Sequence, residues 1–106
     1  MALESGELDA MVHRFLDRVR QRVPVTAVYL YGSYANGGAD DDSDINLAVI
    51  SPEFGRNRYR EMVMLTEACL PDSLLVEAVP FSLTSYEDPP RGSFIREVLR
   101  TGRRVA

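Results

Sequence analysis

The stretch YLYGSYANGGADDDSDINLAVI, residues 29–50, decides how this chain folds. It contains, in order, an apolar run, a glycine-rich turn, an acidic loop and a second apolar run. Its polar groups fall where each run meets a loop, and loops held by a rigid scaffold are where binding and catalytic residues concentrate. We therefore expect the functional site of this protein at these junctions.

The first apolar run, residues 25–31, consists almost entirely of β-branched, aliphatic and aromatic side chains. Such a run predicts a strand that is covered on both faces and central in its sheet. Gly32 then permits a tight turn, and the hydroxyl and backbone N–H groups at Ser33 can bind an anion, typically a phosphate. Gly-Ser after a strand is also compatible with an ordinary turn, so downstream residues must decide between the two.

Four aspartates crowd the start of the second apolar run, residues 45–50. They are Asp40, Asp41, Asp42 and Asp44. A solvated acidic loop is one interpretation. However, side chains alternate along a strand, so Asp44 and Asn46 are expected on the same side, about 6–7 Å apart. Their oxygens suit hard divalent cations, and a pair of such ions is what nucleotidyl transfer uses.

Other metal and redox sites are less well supported. A calcium-binding loop beginning at Asp42 is rejected because Leu47 stands where that loop needs glycine. His13 shares its face of the first helix with no Cys and no second His, so we interpret it as a surface or packing residue. Cys69 is the single cysteine, which excludes an intrachain disulfide and favours a buried structural thiol.

The composition limits the classes of function. A chain of 106 residues that is 45% hydrophobic and 26% charged predicts one domain over residues 1–106. Its net charge of −4 argues against a basic face for autonomous nucleic-acid binding. No apolar run approaches the roughly 20 residues of a membrane-spanning helix, and the first residues lack the positive charge of a signal peptide. We expect a soluble, cytoplasmic protein that does not bind membranes.

Three helices are predicted. The first has Ser5 as its expected N-cap and ends before Pro24, and its apolar residues recur at spacings of three and four: Leu8, Met11, Val12, Phe15, Leu16, Val19 and Val23. Asn57 is expected to cap the second helix and Ser93 the third, which Gly102 closes. One face of the second helix is expected to carry Met62, Leu65, Thr66 and Cys69, and the third helix is expected to pack through Phe94, Ile95, Val98 and Leu99. Residues 82–92 are polar and contain two prolines, which predicts a loop.

Residues 74–81 predict a third strand, with Glu77 in its middle. A carboxylate in an apolar strand is costly unless it is paired, exposed at an edge or bound to a metal. An edge position and a functional role both remain open for Glu77.

Apart from those in and after the first helix, the arginines of this acidic chain include two further groups. They are Arg56, Arg58 and Arg60 before and within the second helix, and Arg96, Arg100, Arg103 and Arg104 near the C-terminus. Each group is interpreted either as a solvated helix face or as a surface that meets an acidic partner or, for the first group, phosphates.

Gly32-Ser33, followed eleven residues later by Asp44 and a continuing strand, resembles the signature of the polymerase-beta-like nucleotidyltransferases, in particular the minimal nucleotidyltransferase (MNT) proteins. The resemblance covers nearly the whole chain. It implies an α/β (α+β) fold with a small mixed β-sheet flanked by helices. It also implies that Gly32 and Ser33 hold a nucleoside triphosphate, with ATP expected, and that acidic side chains hold two Mg²⁺ ions. By position, the first metal-binding aspartate of the family falls on Asp44 and the third carboxylate on Glu77.

The sequence departs from this pattern in two places. Asn46 stands where the family has its second aspartate, and the loss of a negative charge should lower Mg²⁺ affinity and catalysis. Tyr34 and Asn36 stand near positions where the family usually carries phosphate-binding arginine, so triphosphate binding should be weaker. Asp42 forms a D-x-D pair with Asp44 and could replace the missing carboxylate.

Two hypotheses about function follow. In the first, Mg²⁺ at Asp44, Asn46 and Glu77 supports transfer of a nucleoside monophosphate to an acceptor hydroxyl, with Glu77 or Asp42 as proton acceptor. In the second, the site has decayed and the protein is an antitoxin-like module that docks on a HEPN-domain partner or on another copy of itself. A plain α/β domain with solvated acids is the third alternative.

Overall fold

The computed structural model describes residues 5–32, 35, 44–71 and 76–106. The elements within them are α1 (Ser5–Arg20), β1 (Ala27–Tyr31), β2 (Ile45–Ser51), α2 (Arg58–Cys69), β3 (Val76–Ser82), α3 (Leu83–Glu87), α4 (Phe94–Thr101) and β4 (Arg103–Arg104). The strands form one sheet in the order β3-β2-β1-β4. β2 pairs parallel with β3, whereas β1 pairs antiparallel with β2 and with β4. The predicted small mixed sheet flanked by helices is confirmed.

The main core lies between one face of the sheet and helices α1 and α2. Val28, Leu30, Leu47 and Val49 alternate along β1 and β2 and are buried on this face. The buried residues of α1 are Leu8, Met11, Val12, Phe15, Leu16 and Val19. Their spacing of three and four residues is the one that predicted this helix, so its apolar face is confirmed.

Helices α3 and α4 cover part of the opposite face. α3 contacts β2 and β3, and α4 contacts β1, so that Ala48 on this face is fully buried. The ring of Phe94 in α4 lies 5.3 Å from the ring of Tyr31, edge to face. The cover ends toward the start of β2 and β3, where Asn46 is half-buried and Glu77 is exposed. Among the described residues, neither α3 nor α4 covers this end of the sheet.

The ends of the helices follow the predicted capping residues. The side chain of Asn57 accepts a hydrogen bond from the backbone N–H of Arg60, and Ser93 accepts one from Arg96, at 3.1 and 3.3 Å. The N–H of Gly102 donates to the carbonyl of Val98 at 2.7 Å, which closes α4. α1 ends at Arg20, before the predicted end at Val23. No helix in the described ranges is both long enough and apolar enough to cross a membrane.

The buried face of α2 differs from the prediction. Its buried residues are Met64, Leu65, Ala68 and Cys69. Thr66 is exposed and Met62 is only partly buried. The prediction was wrong at these two positions because α2 carries apolar side chains on more than one side, so that spacing alone does not identify the side that meets the sheet.

The segment over residues 82–92 is not simply the predicted loop, because α3 forms within it. Ser82 caps this short helix by accepting a hydrogen bond from the N–H of Ser85 at 3.1 Å. The hydroxyl of Tyr86 lies 3.2 Å from that of Tyr29 in β1, and this contact fixes α3 on the sheet. The contact joins residues far apart in sequence, which is why local composition did not reveal the helix.

The C-terminal residues differ from prediction in two respects. Ile95 and Val98 are buried as expected, but the side chain of Phe94 is 51% exposed. Arg103 and Arg104 were interpreted as part of a solvated helix face or of a surface for an acidic partner, yet they form β4 beside Leu30 and Tyr29 of β1.

Candidate functional site

Three side chains form a row across the open end of the sheet. In the strand register, Tyr31 of β1 is opposite Asn46 of β2, and Asn46 is opposite Glu77 of β3. Paired residues on neighbouring strands project to the same face, and the strands lie about 4.8 Å apart. The row therefore places a phenol, an amide and a carboxylate side by side at the point where β1 ends. We call these three residues the polar row.

Gly32 lies directly against the polar row. Its φ is +81°, a backbone conformation that favours glycine. A Cβ atom at this position would lie 2.8 Å from Nδ2 of Asn46, closer than side chains tolerate. Glycine is therefore favoured at this position for two reasons. The backbone has a positive φ, and the amide of Asn46 leaves no room for a Cβ atom. This close contact links the predicted nucleotide-binding turn to the predicted metal-binding position.

Glu77 lies on an edge strand, and its side chain is exposed. Solvent access explains why a carboxylate is tolerated between the buried residues Val76 and Ala78. The same exposure leaves its oxygens accessible to a ligand at the polar row. The structure thus makes Glu77 the neighbour of Asn46, which sequence reasoning could not establish, because strand order and direction are not written in the local sequence.

Tyr31 is a member of the row that sequence reasoning missed. Its phenol is partly buried and lies near the negative charge of Glu77, and both effects, burial first, raise the pKa of Tyr31 above 10.0. Tyr31 therefore keeps its proton at neutral pH and can donate a hydrogen bond beside the carboxylate. The available signal was its place immediately before Gly32, but in sequence it read only as one more strand residue.

The other predicted site residues lie around this row. Asp44 is exposed and stands two residues before Asn46, at the entrance to β2. The N–H of Ala35 donates to the carbonyl of Gly32 at 3.0 Å, which closes a turn after β1. Ser33 and Asp42 lie outside the described residues, as do Tyr34 and Asn36.

The described donors agree only in part with the needs of a divalent cation. Asp44, Asn46 and Glu77 offer oxygen atoms alone, which is the donor chemistry that Mg²⁺ prefers. Two carboxylates and one amide carry one negative charge fewer than three carboxylates. Within the described ranges, no group of three or more His, Cys, Asp or Glu side chains could hold a metal. The donor type fits Mg²⁺, and the charge predicts weak binding.

The arginines at the start of α2 border a separate pocket. A cavity of about 290 Å³ is lined by residues that include Arg56, Arg58 and Ser82. The carboxylate of Glu61 accepts hydrogen bonds from the N–H groups of Gly55, Arg56 and Asn57 at 3.0–3.1 Å. The backbone N–H groups of the loop before α2 are therefore already satisfied by Glu61, and a phosphate could not use them without displacing this carboxylate.

Two solved structures share this fold. A candidate nucleotidyltransferase from Sulfolobus solfataricus is 18% identical, with a TM-score of 0.57 over 82% of this chain and 83% of that chain. A toxin–antitoxin solved with AMP-PNP is 23% identical, with a TM-score of 0.55 over 92% of this chain and 72% of that chain. No match to a curated protein was found for this sequence.

The nucleotidyltransferase domain model matches residues 12–85. This range includes β1, the turn at Gly32 and all three members of the polar row. Since the match covers more than half of the sequence and the fold agrees with it, this chain belongs to the nucleotidyltransferase domain family.

Proposed function

We propose that this chain transfers a nucleoside monophosphate from a Mg²⁺-bound nucleoside triphosphate to an acceptor hydroxyl. The observation that carries the proposal is the in-register pairing of Asn46 with Glu77 beside the turn at Gly32. This pairing supports the proposal because both side chains carry oxygen atoms and lie next to the turn that, by resemblance to the family, opens the phosphate-binding segment. Asp44 lies at the entrance to the same strand and adds a second carboxylate.

In this reaction the acceptor oxygen attacks the α-phosphorus, and a new phosphorus–oxygen bond forms. The bond from the α-phosphorus to the bridging oxygen breaks, and pyrophosphate leaves with the electron pair. The hydroxyl proton passes to Glu77 or to Asp42. Mg²⁺ held by Asp44, Asn46 and Glu77 would neutralise charge on the phosphates. Gly32 and Ser33 would hold the triphosphate.

ATP is the first nucleotide to test. A protein of the same fold was solved with AMP-PNP, an adenine nucleotide analogue. The fully ionised triphosphate repels the exposed carboxylates of Asp44 and Glu77 unless a cation lies between them. Binding of ATP should therefore depend on Mg²⁺, and this dependence separates a nucleotide site from a chance anion site.

The experiment is a calorimetric titration of ATP with and without Mg²⁺, followed by a pyrophosphate-release assay with any co-purified protein as acceptor. Mg²⁺-dependent binding by the wild type, weakened at least about tenfold in Glu77→Gln, is the expected result. Asn46→Asp should bind more tightly and release pyrophosphate faster. Glu53→Gln, at the far end of β2, is the matched control because it removes one exposed carboxylate away from the row. ATP binding that is unchanged by removal of Mg²⁺ and by Glu77→Gln would overturn the proposal.

A second function is favoured by Asn46 itself. The amide lowers the negative charge that a two-metal site requires, so the fold can persist while turnover is lost. On this alternative the chain is an antitoxin-like module that docks on a HEPN-domain protein. Its support is the toxin–antitoxin of the same fold. Two results together would favour this alternative. Glu77→Gln would still bind such a partner, and neither the wild type nor Asn46→Asp would release pyrophosphate.

A further inference from the structure

Helix α2 is apolar on two opposite sides. One side is buried and contains Met64, Leu65, Ala68 and Cys69. On the other side, Tyr59 is 79% exposed, Val63 is 39% exposed and Leu70, at the C-cap, is 53% exposed. At about 100° per residue, these three side chains point within about 40° of one another and away from the core. A helix face that only meets water is normally polar, so this side needs an explanation.

Thr66 completes a continuous stripe on this side. With Tyr59, Val63 and Leu70 it gives the spacing i, i+4, i+7 and i+11, which is the spacing of a helix that packs on another helix. We call these four residues the outer stripe. The stripe is about 16 Å long, roughly three turns of helix. Beside it, a groove of about 280 Å³ between α2 and the end of α1 is lined in part by Tyr59, Val63 and Met64.

The charges along one flank of the outer stripe identify its occupant. Arg60 and Glu67 lie on the same flank and are both exposed. They are seven residues apart, about 10 Å along the axis, which is too far for a pair within α2. If a second α2 lies antiparallel across the first, the two-fold axis that puts Tyr59 opposite the second copy's Leu70 also puts Val63 opposite the second copy's Thr66. The same axis brings Arg60 within one turn of the second copy's Glu67.

We propose that the outer stripe is the docking surface for a second copy of this chain, paired antiparallel through α2 about a two-fold axis. The flank is self-complementary: its positive end meets the negative end of the other copy, twice in each dimer. The ion pair between Arg22 and Glu67 is exposed and 3.5 Å long, so it competes only weakly. One short helix pair buries little area, which makes the dimer weak and dependent on concentration.

This dimer leaves the nucleotide site open. α2 packs on one face of the sheet, whereas the polar row projects from the other face. Two copies joined through α2 therefore carry two outward-facing sites. The proposal is independent of catalysis, and it is tested with the full chain alone.

The test is sedimentation equilibrium over a wide range of protein concentration. The wild type should dimerise, and Arg60→Glu and Glu67→Arg should each weaken association at least about tenfold, because each creates two like-charge contacts per dimer. An equimolar mixture of these two variants should associate again, since opposite charges then meet across the axis. The double variant should also recover. Arg91→Glu is the matched control for charge, because Arg91 lies in an exposed loop away from α2.

Both reversals leave α2 able to fold. A negative charge in the first turn and a positive charge near the end suit the helix dipole, and circular dichroism verifies this. A wild type that stays monomeric at every concentration overturns the proposal. The proposal is also overturned if Arg60→Glu and Glu67→Arg both dimerise as strongly as the wild type, or if the mixture of the two variants fails to associate. Leu70→Ser should weaken the dimer without changing the fold, because Leu70 is more than half exposed.

Discussion

Asn46 and Glu77 are in-register neighbours on the parallel strands β2 and β3, and the amide of Asn46 lies against Gly32. A neutral amide can stand beside a carboxylate without electrostatic repulsion. A second carboxylate in the same place would repel Glu77 unless a cation lay between them. Asn46 and Glu77 can therefore lie side by side without a cation between them. The consequences can be measured by substitution.

Replacement of Gly32 should destabilise the protein. Gly32→Ala must hold φ near +81° and must place a methyl group 2.8 Å from the Asn46 amide. The backbone conformation alone costs about 1–2 kcal/mol, and displacement of the amide adds to it. We expect the free energy of unfolding, measured with urea, to fall by about 2 kcal/mol or more.

Two other glycines separate these effects. Gly92 also has a positive φ, +74°, but a Cβ there meets no atom within 4 Å. Gly92→Ala should therefore cost only the backbone term, about 1–2 kcal/mol. Gly6 in α1 has open space, and Gly6→Ala should be neutral or stabilising by less than about 1 kcal/mol. Equal losses for Gly32→Ala and Gly92→Ala would show that contact with Asn46 has no energetic weight.

The pKa of Tyr31 should respond to Glu77. Burial, and then the charge of Glu77, raises the pKa of Tyr31 above 10.0, so Glu77→Gln should lower it. The unfolded chain ionises Tyr31 more readily than the folded chain does. Stability from this group is therefore complete below pH 10.0 and is lost as the pH rises through the higher folded value.

The measurement is the difference in ultraviolet tyrosinate titration between each protein and its Tyr31→Phe form. Glu53→Gln, remote from Tyr31 at the other end of β2, should leave the titration of Tyr31 unchanged. A Tyr31 titration that is identical in wild type and Glu77→Gln would mean that the two groups do not interact.

Glu61 should stabilise the start of α2 in a pH-dependent way. Desolvation raises the pKa of Glu61, but hydrogen bonds from Asn57, Gly55 and Arg56, together with the positive charge of Arg58, outweigh it and leave the pKa below 4.5. Its stabilisation is therefore present above pH 4.5 and is lost as the pH falls through the lower folded value. Glu61→Gln should cost about 1–2 kcal/mol at neutral pH.

The loss caused by Glu61→Gln should shrink in acid, where the wild-type carboxylate is itself protonated. Urea unfolding of both proteins across the acid range measures this difference. A loss that stays constant down to the lowest pH would show that the ionised carboxylate is not what holds the loop before α2.

The sequence predicted those parts of the fold that depend on local patterns. The apolar runs that became β1 and β2 and the caps at Asn57 and Ser93 each have a local physical cause. α3 was missed because its contact to the sheet, between Tyr86 and Tyr29, joins distant residues. The buried face of α2 was misassigned because a second apolar side at Tyr59 competes with it in any search for periodicity.

The sequence predicted which residues belong to the candidate site, but it did not predict how they are arranged in space. Gly32, Asp44 and Asn46 follow from motif and spacing. The partnership of Glu77 with Asn46 needs β3 to run parallel to β2, which is set by the crossover through α2. Tyr31 joins the row for a similar reason, because only the antiparallel register of β1 places it opposite Asn46.

Asn46→Asp should make the protein less stable in the absence of metal and should raise its affinity for Mg²⁺. The new carboxylate lies beside Glu77 and near Asp44, so in chelator the variant should unfold at a lower temperature than the wild type. Added Mg²⁺ should raise its melting temperature more than that of the wild type, because a ligand that binds only the folded state stabilises it. Asn46→Ala, which removes the amide without adding charge, should show no such response to Mg²⁺. Equal Mg²⁺ responses in Asn46→Asp and Asn46→Ala would mean that the cation binds away from the polar row.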